Sequence, residues 1–378
     1  MHAGSQRACF AWCSSGPDQF VCDPSADHVQ VMEDKPAMQT FRKISEFDVG
    51  DVLGVGTVGT IYRATEKATG QQVAIKKLHP GVSQDPLIRA RFRREMSILE
   101  RLSHPHIVSY FGGGEDDGTL FYVMELIDGG TVKSLLQIKG VFDWQIVAEL
   151  TRQISSALQY AHNHGVIHRD LKLSNLFLTR TGEVKLGDFG IARDLDLSDL
   201  TAAGMTVGTH AYMAPEQITA DQAVSGKADL YSLGCCLFEM LVGRTPFQGD
   251  NFAQLFEQHL RSPAPHVRDF VRSCPPEMDA IIDRLLEKNP EDRPFNARQV
   301  QALMLQLVAD ADLERNISGK QTKTDVAADD VVARGKELLQ QEIRQASISG
   351  ASEVGWGRLA ALVALVLAVI AFASFFGR

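Results

Sequence analysis

Asp170, Lys172 and Asn175 fall within six residues of Val166-Ile167-His168-Arg169-Asp170-Leu171-Lys172-Leu173-Ser174-Asn175-Leu176-Phe177-Leu178. A carboxylate can take a proton from an attacking hydroxyl, and an ammonium can meet a negatively charged transferring group. An amide oxygen can ligate a hard cation such as Mg²⁺. Asp188 follows Asn175 by thirteen residues, in Lys185-Leu186-Gly187-Asp188-Phe189-Gly190, and adds a second oxygen ligand on a glycine-flanked turn. Apolar runs on either side of the polar hexad predict a loop mounted between two buried β-type segments.

These groups need elements to position them. Asp51-Val52-Leu53-Gly54-Val55-Gly56-Thr57-Val58-Gly59-Thr60-Ile61-Tyr62 reads as strand, glycine turn, strand. A Gly-x-Gly-x-x-Gly run alone is weak evidence, since it also opens dinucleotide sites. There a helix follows the third glycine. Here β-branched and aromatic residues follow, so the turn closes over phosphates as a lid, and the glycines let backbone N–H groups approach. Val73-Ala74-Ile75-Lys76 predicts a buried strand ending in a lysine. A helix over 88–102 follows, with Phe92, Met96, Leu99 and Leu102 as its apolar stripe. Glu95 lies beside that stripe and is the preferred carboxylate partner for Lys76, with Glu66 and Glu100 as alternatives.

Leu120-Phe121-Tyr122-Val123-Met124 reads as a further buried strand. Glu125-Leu126-Ile127-Asp128-Gly129-Gly130 then marks a change from β to helical patterning, the place for a hinge. Helices are expected over 132–138, 144–164, 252–260, 278–287 and 297–310. In the second, Ile146, Leu150, Ile154, Leu158 and Ala161 recur at helical spacing.

Taken in order, these motifs resemble the eukaryotic-type (Hanks-type) Ser/Thr protein kinases, over about residues 47–310. The resemblance implies an α+β bilobal fold: a small antiparallel β-rich N-lobe (44–124) with one key helix, a hinge (125–130) and a larger helical C-lobe (131–312). It implies ATP with Mg²⁺, or Mn²⁺ as an alternative, and protein substrates. Asp170 is then the catalytic base, Lys172 and Lys76 offset phosphate charge, and Glu95 positions Lys76. Asn175 and Asp188 hold metal. Leu53, Gly54, Val55, Gly56, Gly59, Ile61 and Ala74 surround the nucleotide, with Val55 and Ile61 covering the purine. Met124 closes the back of that pocket, the backbone of Glu125 and of Leu126 or Ile127 meets the purine edge, and Asp128 is a ribose contact. Arg169 meets a phosphorylated activation loop, for which Thr201 and Thr206 are the candidate sites. Thr209 bonds Asp170 and Lys172. Glu216 pairs with Arg293, and Asp229 braces the catalytic loop. Lys172 resembles the Ser/Thr rather than the Tyr class. Leu173 departs from the family, where many members carry proline. Thr131 and Ser174 stand where some members carry acids that select basic substrates.

The flanks differ in composition. Residues 1–43 are polar and aperiodic and read as a disordered leader. Residues 313–357 read as a polar linker with a short helix over 331–346, with Leu338, Leu339 and Ile343 on one side. Residues 358–377 read as a transmembrane helix: Leu359 to Phe376 is 18 residues without charge, about 27 Å as a helix, with Trp356 and Arg358 at its edge. The expectation is a single-pass tail anchor in the cell membrane with a cytoplasmic kinase domain and no external sensor. A homodimer for trans-autophosphorylation fits that arrangement. A net charge of −9 with dispersed Lys and Arg argues against nucleic acid as partner. Cys235 and Cys236, in an apolar run, read as core residues. Two other classes compete with this reading. An ATP-binding pseudokinase scaffold is disfavoured because every catalytic position is filled. A nucleotide-binding oxidoreductase rests on the glycine loop alone.

Overall fold

Strand alternation sorts the N-terminal apolar residues onto two faces of one sheet. Ala64, Val73, Ile75, Phe121 and Val123 pack with Phe47 in a small outer cluster. Ala74, Leu78, Leu120, Tyr122 and Met124 belong to the main core on the other face. The structure is a computed structural model describing residues 41–56, 58–189, 210–219, 224–318 and 328–353. The sheet contains β1 (Phe47–Val55), β2 (Gly59–Glu66), β3 (Gln72–Leu78), β4 (Tyr110–Asp116) and β5 (Thr119–Glu125), all antiparallel, in the order β1-β2-β3-β5-β4. A one-turn helix α1 (Pro80–Ser83) and then α2 (Pro86–Leu99) follow β3. Helix α2 turns Phe92, Met96 and Leu99 into the main core. It stops three residues earlier than its apolar stripe suggests, because Leu102 is buried from the turn beyond it.

Below the hinge, α3 (Val132–Lys139) and α4 (Trp144–Asn163) lead into the hairpin β6 (Leu176–Leu178) and β7 (Val184–Leu186). Then come α5 (Pro215–Thr219), α6 (Gly226–Val242), α7 (Phe252–Arg261), α8 (Pro276–Leu285), α9 (Ala297–Ser318) and α10 (Ala328–Glu353). Polar residues start three of these helices. Thr131, Ser225 and Asn251 accept backbone N–H bonds at the N-termini of α3, α6 and α7. Every residue of α6 from Ala228 to Leu241 is buried, Cys235 and Cys236 among them. It is the axis around which the C-lobe is built.

The flanks differ from the sequence expectation in three ways. The N-lobe includes residues before 44: Arg42 pairs with Glu46 at 2.6 Å and with Glu66. The expected boundary at 312 falls inside α9. The stretch expected to be a polar linker contains the 26-residue α10, with Leu339 and Ile343 fully packed against the C-lobe. The short stripe of apolar residues was visible, but not the surface that receives it. Among the described residues no helix is long and apolar enough to cross a membrane. The span 358–377 lies outside them, as do residues 1–40.

Candidate active site

The loop carrying Asp170 is held from below by one carboxylate. Asp229, in the first turn of α6, accepts the backbone N–H of His168 at 2.8 Å and of Arg169 at 2.9 Å. Its Oδ2 also meets His162 Nε2 at 2.8 Å. Burial alone would raise the pKa of Asp229, but the His162 bond, the neighbouring imidazoles and the His168 N–H bond hold it below the ordinary value. The brace matters because Arg169 has φ 63°, a left-handed conformation costly for a residue with a long side chain. Leu171 and Leu173 anchor the loop in the core. Leucine at 173 therefore fills the place of the family's usual proline by packing.

Three functional groups converge in this loop. Lys172 Nζ lies 2.8 Å from Asp170 Oδ2. Asn175 Nδ2 donates to the Asp170 carbonyl at 2.8 Å and to its Oδ2 at 3.3 Å. With the amide nitrogen turned to Asp170, the amide oxygen is the end of Asn175 that suits a hard cation.

Asp188, the second expected oxygen ligand, is tied to the same loop. Gly187 N donates to the Asn175 carbonyl at 3.1 Å. His168 Nε2–H donates to the Gly187 carbonyl at 3.0 Å, while Nδ1 accepts from Asp170 N at 3.3 Å. That use of both ring nitrogens requires the neutral imidazole, and burial lowers its pKa in the same direction. Phe189 packs on His168 with ring centroids 4.7 Å apart. Asp188 has φ 54°, and its Oδ1 meets Lys76 Nζ at 2.6 Å and the Tyr122 hydroxyl at 3.0 Å. Burial pushes the pKa of Asp188 up, but the Lys76 charge and hydrogen bonds from Lys76 and Tyr122 overcome it, so the net shift is downward. An ionised carboxylate beside an amide oxygen suits Mg²⁺, which takes one or two protein oxygens and fills its shell with phosphates and water.

Lys76 thus reaches Asp188. Glu66, one alternative partner, is engaged by Arg42. Glu95 lies on α2, and the expected Lys76–Glu95 pair falls on a side chain outside those described. Tyr122 was not singled out from sequence. The signal was there: in a strand it shares a face with Met124, two residues on.

The residues expected around the nucleotide divide between the two faces of the sheet. Ala74 and Met124 face each other across β3 and β5, both buried. Ile61 pairs with Lys76 and with Gly54, on the cleft side. Val55 pairs with Thr60 instead, so alternation turns its side chain to the opposite face, where it is 74% exposed. Val55 therefore does not share the purine-covering role with Ile61. Leu53 sits at an irregularity between Val52 and Gly54 and is exposed. Gly56 N bonds the Gly59 carbonyl at 2.9 Å and closes the turn. Gly59 is required for packing, since a Cβ there would lie 2.3 Å from the Lys77 carbonyl. Gly54 has open space around it, as backbone approach by a ligand needs.

At the hinge, the Glu125 carboxylate bonds Lys185 on β7 at 2.9 Å and Ser109 N at 3.2 Å. Leu126 and Ile127 are half-buried against the core. Asp128 is exposed and pairs with Arg180 at 2.9 Å, so its candidate ribose role competes with that contact.

The supporting pairs stand where expected. Arg293 grips Glu216 with two bonds, 2.7 and 2.9 Å, both side chains buried. Gln217 then donates to the Arg169 carbonyl at 3.1 Å, joining α5 to the catalytic loop. Thr201, Thr206 and Thr209 lie outside the described residues, so the expected contacts of Arg169 with a phosphorylated loop, and of Thr209 with Asp170 and Lys172, lie there too.

Residues 47–304 match the protein kinase domain. The chain is 39% identical over 260 residues to a probable serine/threonine-protein kinase of Streptomyces coelicolor, covering 67% of this chain and 38% of that protein. It is 35% identical over 266 residues to serine/threonine-protein kinase PknB of Mycobacterium leprae, covering 69% and 43%. It is 38% identical over 247 residues to serine/threonine-protein kinase PknD of Mycobacterium tuberculosis, covering 65% and 37%. The chain spans about two fifths of the length of these curated relatives.

Proposed function

This chain belongs to the eukaryotic-type protein kinase family, and from that premise we propose that it transfers the ATP γ-phosphoryl group to Ser or Thr hydroxyls of proteins. The observation that carries the reading is the loop in which Asp170 meets Lys172 at 2.8 Å and Asn175 at 3.3 Å, while Asp188 holds Lys76 at 2.6 Å. Asp170 accepts the proton of the attacking hydroxyl and aims its oxygen. Lys172, paired to the same carboxylate, carries positive charge to where the transferring group becomes most negative. Lys76 does the same for the inner phosphates. Asn175 and Asp188 would hold Mg²⁺ or Mn²⁺, which would neutralise charge on the triphosphate. Ile61, Ala74 and Met124 form the apolar wall for the purine, and the Gly54–Gly59 turn covers the phosphates.

In the same reading, 358–377 anchors the chain in the cell membrane as a single-pass tail, with the kinase unit on the cytoplasmic side. Its support is the uncharged run from Leu359 to Phe376 and the Trp356 and Arg358 at its edge. A transient homodimer would phosphorylate Thr201 or Thr206 in trans, and Arg169 would receive the new charge.

Labelled ATP tests the reaction directly. Wild type incorporates label into itself and into a general protein substrate when Mg²⁺ or Mn²⁺ is present, and Asp170→Asn does not. Equal silence from both would leave a nucleotide-binding scaffold.

A further inference from the structure

Helix α10 lies beyond the residues that match the kinase domain, yet it is packed onto the kinase. Leu339 and Ile343 are fully buried. Gly335 sits so close to α4 that a Cβ would stand 2.8 Å from Glu149 Cβ and 3.2 Å from the Gln145 carbonyl. Glycine inside a helix costs about 1 kcal/mol against alanine. The close crossing gives it a reason to be there.

Helix α10 also packs on α9 and α3, and several of its polar contacts fall on one small feature, the turn between β6 and β7. Gln340 Nε2 donates to the Thr181 carbonyl at 2.7 Å. Lys336 pairs with Glu183 at 3.1 Å. Gly182 has φ 75° and lies against the Gln340 side chain. Further along, Lys139 of α3 pairs with Glu342 and bonds Gln345 at 2.8 Å.

That turn is directly wired to the site. The strands are three residues each, and Asn175 immediately precedes one while Gly187-Asp188 follows the other. The near ends of the turn, Thr179 and Glu183, are therefore up to roughly 13 and 17 Å along the chain from Asn175 and Asp188. A two-stranded hairpin of this size has little stability of its own. Besides the backbone bonds of Leu186 with His106 and Val108, both 2.9 Å, it is held from three sides. The hinge holds it through Asp128–Arg180 and through Leu178 N bonding the Gly130 carbonyl at 2.9 Å. Helix α4 holds it through Gln153, which accepts from Val184 N at 2.7 Å and donates to Glu149 at 2.7 Å. The third side is α10, which also presses Gly335 onto Glu149.

We propose that α10 is a positioning element of the kinase: docked on the β6–β7 turn, it sets the placement of Asn175 and Asp188 and so the affinity for the magnesium–nucleotide pair. This deepens the phosphoryl-transfer reading and rests on it for the identity of the ligand. Lys336, Leu339 and Gln340 act through the hairpin and touch no substrate.

The test uses the full chain and two undocking variants, Gly335→Leu and Leu339→Glu, with Arg344→Ala on the exposed face as control. Two readouts are followed: amide hydrogen exchange across 176–186, and binding of magnesium with a non-hydrolysable ATP analogue. Undocking is expected to speed exchange across 176–186 by about tenfold and to weaken magnesium–analogue binding by about three- to tenfold. The KM for a protein substrate stays unchanged, and the control matches wild type. Glu183→Lys produces a smaller loss, which adding Lys336→Glu reverses. Faster exchange in α10 with neither 176–186 nor analogue binding altered overturns the proposal. A wild type that binds the analogue and transfers no phosphate would defeat the kinase reading instead, and the exchange and binding results would still decide this one.

Discussion

Tyr122 and Lys76 meet the same atom: the phenol donates to Asp188 Oδ1 at 3.0 Å, and the ammonium lies 2.6 Å from it. Tyr122 and Lys76 are also cross-strand partners on β5 and β3, with the ammonium 5.8 Å from the ring centroid. The N-lobe sheet therefore fixes a C-lobe carboxylate through two adjacent side chains. A hydrogen bond to a charged group is worth about 1.5–3 kcal/mol. Tyr122→Phe should raise the KM for magnesium–ATP by roughly tenfold with the fold intact, since only a hydroxyl is lost. Lys76→Met, which removes the charge, should lower kcat/KM by about 10²–10³. Steady-state kinetics over a magnesium–ATP series separate the two. A Tyr122→Phe enzyme with wild-type KM would show that Lys76 alone is sufficient.

Asp170→Asn should separate positioning from proton acceptance. The amide keeps the size of the side chain, so Asn175 and the loop stay in place. Loss of the base should cost about 10²–10⁴ in kcat. The KM for ATP and the thermal midpoint should barely move. A variant that loses ATP binding as well would place Asp170 in nucleotide retention.

The contrast between these residues and others shows what the chain spells out. Asp170, Asn175, Asp188 and Lys76 stand out in the sequence because their types and spacing resemble the motifs of the kinase family. Local periodicity also placed β3, β5 and most helices to within a few residues. Tyr122 and His162 escaped because their partners, Asp188 and Asp229, are 66 and 67 positions away and neither side chain looks unusual in its own segment. Val55 was misjudged because the glycine run hides which face each residue takes, and only the Val55–Thr60 register settles it. The docking of α10 was illegible for a similar reason. Three apolar residues mark a buried stripe, but the receiving surface is assembled from α3, α4 and a turn distant in sequence.

Glu216 and Arg293 form the pair whose loss should be felt most in stability. Both are buried, and Arg293 also bonds the carbonyls of Glu287, Lys227 and Lys288. Removing one partner leaves a charge without its counter-ion, which costs about 3–5 kcal/mol. Arg293→Leu should therefore lower stability by that amount in urea denaturation. Replacing both, Glu216→Gln with Arg293→Met, should recover a measurable part of it, because no charge is stranded. Equal losses in the single and double variants would mean that the carbonyl bonds of Arg293, not the ion pair, hold this corner.

Acid sensitivity should begin well above the carboxylate range. Burial pushes the imidazole of His259 down to about 3 and that of His104 down to about 4, with nearby Lys288 and His106 adding in the same direction. Their value in an unfolded chain is near 6.5. Between these limits the unfolded state binds protons that the folded state refuses, so stability rises with pH and falls as acid is added from pH 6.5 toward 4. Asp188 and Asp229 act lower. Their folded values lie below the usual 3.8, so their contribution is intact above that pH and drains away beneath it. Two descending limbs should thus appear in urea denaturation repeated from pH 7.5 to 3. His259 is the residue to remove, since it lies within the C-lobe against Tyr231 and Phe247, away from Asp170. A proton fully taken up on unfolding changes stability by about 1.4 kcal/mol per pH unit. His259→Gln keeps a hydrogen-bonding side chain and cannot titrate, so it should flatten the upper limb by up to that slope while leaving the lower limb alone. An upper limb of unchanged steepness in this variant would show that His259 takes up its proton in the native fold as readily as in the unfolded chain.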